Sequence, residues 1–149
     1  MAGAPFAFAF DPAGQLALVN AGGSTLGTFT INANGTLTTV GAPVADAQVA
    51  ACWIAAARGF HYVANTGSGT ISQYSIGSSG TVTLVNPSAA AGISGPIDMA
   101  TAGGGAFLYN QGGLSSSVNA YSVSPVGSLT LIQSQPVPDG GSQEGIAAT

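Results

Sequence analysis

Two carboxylic acids, Asp98 and Glu144, are the side chains of this sequence best suited to chemistry. An internal repeat, described below, gives them equivalent positions and adds Phe6 and Ala51 to the same set. Two carboxylates held in a confined channel could share a proton, polarise a water molecule or bind a cation. We therefore predict Asp98 and Glu144 as an acid/base pair. The alternative is that both are solvated side chains at the edges of secondary-structure elements.

Three further side chains are candidates for ligand binding. Arg58 is the only basic residue among 149, so its guanidinium would be the obvious contact for an anion, although a solvated turn residue is the simpler interpretation. His61 occupies the repeat position held by Leu16 and Leu108, which favours a packed or rim histidine over a catalytic one. Trp53 could stack on a sugar or another ring, whereas its simpler role is in the core.

Neither a metal nor a cofactor is predicted. The single histidine excludes a histidine-based metal site within one chain, and the single cysteine, Cys52, excludes an internal disulfide and a CxxC pair. Cys52 is best explained as a small buried hydrophobe. An all-oxygen calcium site remains open, although the spacing of its ligands matches no known loop. Those ligands would be Asp46, Asp98, Asp139 and Glu144.

The composition excludes several classes of protein. Only 4% of the residues are charged, against about 25% in an average soluble protein. One basic residue cannot neutralise a run of phosphates, which excludes nucleic-acid binding and a polybasic membrane surface. The 46% hydrophobic content argues against disorder, and no apolar run approaches the length of a transmembrane helix. The start of the chain lacks the basic region of a signal peptide. The low charge suits an exported protein without deciding the compartment.

The elements that position these residues come from a threefold internal repeat. Three stretches align without gaps, offset by 45 and then 47 residues: Gly14 to Ile31, Gly59 to Ile76 and Ala106 to Val123. A glycine follows each stretch at the same distance and opens a strand-like pattern. A repeat of 40–50 residues with several strands is typical of a β-propeller blade. A β-solenoid is the main alternative, but its coils are usually shorter.

Local patterns within each repeat predict strands and tight turns. Asn34-Gly35 lies between two strand-like runs and predicts a tight hairpin, for which Asn-Gly supplies the positive φ angles. Two apolar repeat positions stand three residues apart, an odd spacing that puts them on opposite faces of a strand. This predicts sheets buried on both faces. The two positions are Leu26/Ile71/Val118 and Phe29/Tyr74/Tyr121.

We therefore predict an all-β fold of three four-stranded propeller blades, at about 4–50, 51–97 and 98–143, with a closing strand at 144–149. Known propellers have typically 4–8 blades, so three blades do not readily close a ring. An open arc would expose apolar blade faces. The chain is therefore either part of a larger propeller or a subunit that assembles with itself. We favour a homodimer that forms a six-bladed ring.

The second repeat carries a family resemblance. Phe60 to Ile76, which includes Tyr62-Val63-Ala64-Asn65, and the following Gly80-Thr81-Val82-Thr83 resemble a blade of the 6-phosphogluconolactonase-like, lactonase-type seven-bladed propellers. Gly95 to Ala100 is similar to the start of the next blade, and Gln143 to Ala148 to the closing strand. The resemblance covers essentially the whole chain, as the last three blades of such a protein.

This resemblance implies a channel site for a small lactone or a sugar-derived ligand. Family enzymes are expected to use histidine, arginine and acidic residues there, together with a Pro-Arg-His motif of an early blade. That motif is absent here, so no catalytic residue is transferred by motif. If the chain is an enzyme, we expect Asp98 or Glu144 to act as the acid/base without a covalent intermediate. The alternatives are a non-catalytic scaffold or binding module that self-assembles, and an evolutionary fragment whose main property is ring formation.

Overall fold

Three four-stranded antiparallel sheets make up the chain. The computed structural model describes residues 3–11, 13–138 and 144–149. Each sheet contains four consecutive strands in sequence order, which confirms the prediction of an all-β fold with three blades. The strands are β1 (Pro5–Phe10), β2 (Leu16–Asn20), β3 (Thr25–Ile31), β4 (Leu37–Ala45), β5 (Ala51–Ala57), β6 (Phe60–Asn65), β7 (Thr70–Ile76), β8 (Val82–Ala90), β9 (Pro96–Ala102), β10 (Phe107–Gly112), β11 (Ser117–Val123) and β12 (Leu129–Pro136).

The strands follow the sequence repeat closely. The third strands begin at Thr25, Thr70 and Ser117, with the same offsets as the sequence alignment. The third blade begins at Pro96, two residues before the start expected from the repeat. Residues 144–149 form no strand in the structure, so their closing of a ring stays a prediction. Gln143, the first residue of the expected closing segment, lies outside the described residues.

The three outer hairpins share one turn, which differs from the one predicted. In the first blade the Gly35 N–H donates to the Asn32 carbonyl and the Asn32 N–H to the Thr36 carbonyl, at 2.9 and 2.8 Å. Only Gly35 has a positive φ, of 81°. The predicted hairpin is therefore confirmed, whereas the positive φ expected at Asn34 is wrong. The Asn34 side chain accepts bonds from the Thr36 N–H and hydroxyl instead. These side-chain bonds stabilise a longer turn, in which only the glycine adopts a positive φ.

The middle blade is buried on both faces, as the odd spacing predicted. Ile71 packs in a cluster with the third blade, and Tyr74 packs in a second cluster with the first blade. Both side chains are fully buried, at 0% exposure. Because neighbouring residues of a strand point to opposite faces, positions three apart can serve both interfaces at once. These two clusters form the core of the described chain.

The outward face of the first blade stays uncovered within the described chain. Phe8 and Phe10 are 60% and 56% exposed and pack edge to face with each other. Both lie in register with Leu18 and Leu16 of β2, so the open face is a continuous apolar surface. On the outward face of the third blade, Phe107 is 39% exposed.

No helix long and apolar enough to cross a membrane occurs among the described residues.

Candidate functional site

The first strands of the blades, β1, β5 and β9, lie beside one another and bring the predicted acids together at one edge. We call this the upper edge; it carries the β2–β3, β6–β7 and β10–β11 turns. A small pit there is lined by Phe6, Trp53, Ile97, Asp98 and Glu144. Its volume is about 10 Å³. That is about the space that one water molecule needs. The upper edge therefore combines two carboxylates with an indole ring.

Asp98 anchors the end of the chain to the third blade. Its carboxylate accepts bonds from the backbone N–H groups of Met99, Gly145 and Ile146, at 2.7, 2.7 and 3.0 Å. The side chain is 1% exposed. Hydrogen bonds to a charged acceptor are stronger than neutral ones, so this carboxylate is a firm attachment point. It holds residues 145 and 146, and with them Glu144, beside β9.

Glu144 is the accessible acid of the pair. Its side chain is exposed, and it borders both the pit and a larger groove of about 290 Å³. Gln111, Ser116 and Ser117 also line this groove and give it a polar wall. Its size approaches the lower end of the range for small-molecule sites. The two predicted acids therefore have different surroundings, with Asp98 buried and bonded and Glu144 open to solvent.

Trp53 reaches the pit instead of the residue that the repeat suggested. The repeat gave Ala51 the position equivalent to Asp98, but Ala51 is fully buried and packs with the first blade. A register shift between Ala51 and Trp53 changes which side chains face the pit. The Trp53 indole N–H donates to the Met99 carbonyl at 3.0 Å and ties β5 to β9. A local bulge of this kind is not visible in the sequence spacing.

Arg58 and His61 lie away from the acids. They border grooves at the opposite, lower edge, near the turn from β5 to β6. Arg58 follows Trp53 by five positions along the chain, which is roughly 16 Å at a rise of 3.3 Å per residue. Arg58 is an exposed turn residue with a φ of 49°. The structure thus brings Trp53, Asp98 and Glu144 together and places Arg58 and His61 elsewhere.

Asp11 is a polar residue near His61 that sequence reasoning missed. Both side chains are buried, at 8% and 2% exposure, and both line a groove of about 380 Å³. Burial lowers the pKa of His61, and the nearby charge of Asp11 raises it to a smaller extent. Asp11 directly follows β1, and the repeat has no acid at the matching place, so spacing gave no signal for it.

Asp46, which the sequence analysis named as a possible calcium ligand, has a structural role. Its carboxylate accepts bonds from the Gln48 N–H at 2.9 Å and from the Ser72 hydroxyl at 3.0 Å. Burial, with Asp46 as a second cause, raises the pKa of the Tyr74 hydroxyl. Residues 3–11, 13–138 and 144–149 contain no group of three or more potential metal ligands. Asp139, the other acid named for a calcium site, lies outside those ranges.

A family model describes this architecture. Residues 8–142 match the model of the lactonase, 7-bladed β-propeller family. No curated protein sequence matches the chain.

Solved structures share the fold at low sequence identity. A putative 6-phosphogluconolactonase from Bacteroides uniformis superposes with a TM-score of 0.78 and 18% identity, over 91% of this chain and 42% of its own. The periplasmic gluconolactonase of Pseudomonas aeruginosa gives 0.75 and 20%, over 93% and 40%. A protein from Lactobacillus plantarum gives 0.77 and 18%, over 90% and 42%. The chain therefore spans about two fifths of the length of these proteins.

Proposed function

Since the chain belongs to the lactonase family of seven-bladed β-propellers, we propose that it supplies three blades of a propeller whose channel binds and hydrolyses a small lactone or sugar-derived ligand. The observation that carries this proposal is the meeting of Trp53, Asp98 and Glu144 at the upper edge of the first strands. The names of two structural relatives, a putative 6-phosphogluconolactonase and a gluconolactonase, support the choice of ligand class.

The different surroundings of the two acids suggest different roles. Glu144 is exposed and borders the groove of about 290 Å³, so it is the residue able to act as a general base on water. Glu144 takes a proton from that water as its oxygen adds to the lactone carbonyl carbon. The ring C–O bond then breaks, and the protonated Glu144 returns the proton to the leaving ring oxygen, so the product carries a hydroxyl group and a carboxylic acid. Asp98 acts as a positioning residue, because its carboxylate holds the backbone of the residues after Glu144.

Trp53 suits the binding of a sugar ring. Its indole N–H is bound to the Met99 carbonyl, which fixes the ring plane at the wall of the pit. An aromatic face of this kind offers a large and rigid contact area. The pit itself holds no more than about one water, so the ligand would lie in the larger groove next to it.

Hydrolysis of glucono-1,5-lactone by the purified chain tests the catalytic proposal, after subtraction of the spontaneous rate. Glu144→Gln should lower kcat by about 10²–10⁴-fold, as expected for the loss of a general base. Thr83→Ala, at an exposed position of β8 far from the channel strands, serves as the control. An unchanged kcat in Glu144→Gln would remove Glu144 from the mechanism.

Trp53 allows binding to be measured separately from hydrolysis. It is the only tryptophan, so its fluorescence reports on the pit alone. We expect a saturable change when gluconate, the hydrolysis product, is added. If the chain neither hydrolyses the lactone nor shows this change, the ligand proposal fails and a non-catalytic role is favoured.

Self-assembly is a second candidate function, and the open faces of the outer blades favour it. Burying the exposed parts of Phe8 and Phe10 would contribute roughly 1–2 kcal/mol each. Ile54 and Met99 pair with the same repeat position of the second strand as Phe8 does, and both are buried against a neighbouring blade, at 5% and 3% exposure. A second copy could place its third blade on this face, and two such contacts around a twofold axis would close a six-bladed ring.

The mass in solution tests this second candidate. Light scattering after size exclusion should give twice 14.3 kDa for the wild-type chain. Phe8→Asp should give a single-chain mass, because a charge on the apolar face prevents the contact. Val85→Asp places the same charge on an exposed position of the middle blade and should leave the dimer intact. A single-chain mass for the unmodified protein would refute the six-bladed homodimer.

A further inference from the structure

We propose that a groove between the second and third blades binds a small carboxylic acid in its ionised form. The carboxylate of the ligand would accept hydrogen bonds from the side chains of Asn119, Tyr121 and Ser134. This site is separate from the channel proposal, because the groove and the pit share no lining residue.

The three side chains stand on the face of the third blade that looks toward the second blade. Asn119 and Tyr121 lie two residues apart on β11, so they point to the same side. Their cross-strand partners on β12 are Ser134 and Leu131. Tyr121 also packs in the cluster shared with the second blade. These four residues and the linker residues 91–94 line a groove of about 260 Å³.

The hydrogen-bonding capacity of this row is unused within the chain. Asn119 and Tyr121 are 8% and 4% exposed, and neither side chain has a hydrogen-bond partner among the described residues. Neither has an unpartnered polar atom that is sealed from solvent, so the amide and the hydroxyl keep the access that the groove supplies. Ser134 is exposed and likewise unpartnered. Burial raises the pKa of the Tyr121 hydroxyl, so this group keeps the proton that it would donate.

The matching interface between the first and second blades shows what such donors can hold. Ser72 of β7 occupies the repeat position of Asn119. Tyr74 occupies that of Tyr121. There the Asp46 carboxylate accepts a bond from the Ser72 hydroxyl at 3.0 Å and one from a backbone N–H at 2.9 Å. Neither partner is charged, so this fold already binds a buried carboxylate with neutral donors alone.

The third blade lacks the acid that fills this role. The Ile93 N–H donates to the Gly69 carbonyl at 3.1 Å, and the Asp46 N–H donates in the same way to the Ser24 carbonyl at 3.2 Å. Since Gly69 follows Ser24 by one repeat of 45 residues, Ile93 holds the place of Asp46. Its side chain cannot accept a hydrogen bond, and no acid lines the groove among the described residues. A ligand carboxylate would supply the missing acceptor.

The size and polarity of the groove select a small acid. Its volume lies just below the usual range for drug-sized ligands, which suits a molecule of a few heavy atoms. Leu131 and Ile93 give an apolar wall for a short alkyl group. A hydrogen bond to a charged acceptor is stronger than one to a neutral hydroxyl, so the donors favour a carboxylate over a sugar.

Titration of the full chain with sodium acetate tests the proposal. We would follow the side-chain amide signals of Asn119 by NMR, together with the fluorescence of Trp53, at neutral pH and constant ionic strength set with sodium chloride. The expected result is a saturable shift of the Asn119 signals with a Kd on the order of 10 mM, and no change at Trp53.

Tyr121→Phe is the informative variant. It removes one donor but keeps the ring, and the hydroxyl has no partner in the chain whose loss would disturb the fold. We expect Kd for acetate to rise about tenfold, since a charge-assisted hydrogen bond is lost. Tyr109→Phe makes the same change on the opposite face of the blade, because Tyr109 pairs with Ala120, and it should bind acetate as the wild type does.

Three results would overturn the proposal. One is a shift of the Asn119 signals that stays linear with acetate concentration. Another is the same Kd in Tyr121→Phe as in the wild type. The last is a saturable response to D-glucitol but none to acetate, which would indicate a site for neutral hydroxyl groups. A failed channel proposal would instead appear at Trp53 and in the lactone assay, so the two failures are distinguishable.

Discussion

Replacing Asp98 by asparagine should release the last residues of the chain from the third blade. The carboxylate of Asp98 accepts three backbone bonds, from Met99 on one oxygen and from Gly145 and Ile146 on the other. The amide of asparagine has one oxygen and one NH₂ group. Whichever way it turns, the NH₂ group faces at least one N–H donor.

The cost follows from the bonds that change. At 1% exposure the Asp98 carboxylate is shielded from solvent, so its bonds are not weakened by screening. A hydrogen bond to a charged group contributes about 1.5–3 kcal/mol, and a neutral one about 1 kcal/mol. Losing one bond and the charge on the others should cost about 2–3 kcal/mol. This corresponds to a rise of roughly 30–150-fold in the open population of residues 145 and 146.

Amide hydrogen exchange measures this opening residue by residue. The exchange rates of Gly145 and Ile146 should rise by that factor, while those of the middle blade should change little. Glu144→Gln removes the same charge from an exposed neighbouring acid, so it is the matched control and should leave the protection of Ile146 intact. Rates in Asp98→Asn within twofold of the wild type would refute the anchoring argument.

Three further predictions follow from the packing of the blades. Gly35 and Gly127 occupy the same turn with the same φ of 81°, but a Cβ at Gly35 meets open space, whereas one at Gly127 meets the Phe60 ring at 2.6 Å. In urea unfolding, Gly127→Ala should therefore reduce the unfolding free energy by about 1–3 kcal/mol more than Gly35→Ala does. Equal reductions in the two variants would contradict this argument. Tyr62 donates its hydroxyl to the Gly127 carbonyl at 2.7 Å, and burial raises its pKa to about 12, so Tyr62→Phe should cost about 1–2 kcal/mol in the same assay. Burial lowers the pKa of His61 below its unfolded value of 6.5, although the charge of Asp11 opposes this, so the unfolded state binds the proton more readily. The unfolding free energy should then fall as pH drops below about 6.5. His61→Leu restores the residue found in the other repeats and should reduce that fall. The same pH dependence in His61→Leu would contradict a lowered pKa of His61.

The repeat made the architecture predictable, because strand position depends on local pattern. The third strands of all three blades follow the offsets of 45 and 47 residues that the sequence repeat shows. The odd spacing of Ile71 and Tyr74 correctly indicated a sheet buried on both faces. Alternation along a strand is a short-range property, so the order of residues alone carries it.

The turns were less predictable, since one dipeptide is compatible with several hairpins. Asn34-Gly35 favours a two-residue turn in isolation. In the structure Asn34 bonds Thr36 with its side chain, and a longer turn with one positive-φ glycine forms instead. The choice depends on the register of the two flanking strands, which the dipeptide does not specify.

The chemistry of the site depended on tertiary structure almost entirely. The sequence by itself determined that Asp98 and Glu144 hold equivalent repeat positions, with Asp98 on a first strand, and that Arg58 stands in a turn. Only the folded chain decided that the Asp98 carboxylate binds the backbone of the last residues, and that Trp53 rather than Ala51 lines the pit with Asp98. The fold also decided that His61 lies near Asp11 at the opposite edge. These contacts join residues of different blades or pass through a bulge. Their partners are distant in the chain, and a one-residue shift in register exchanges the faces of a strand, so no local pattern can encode them.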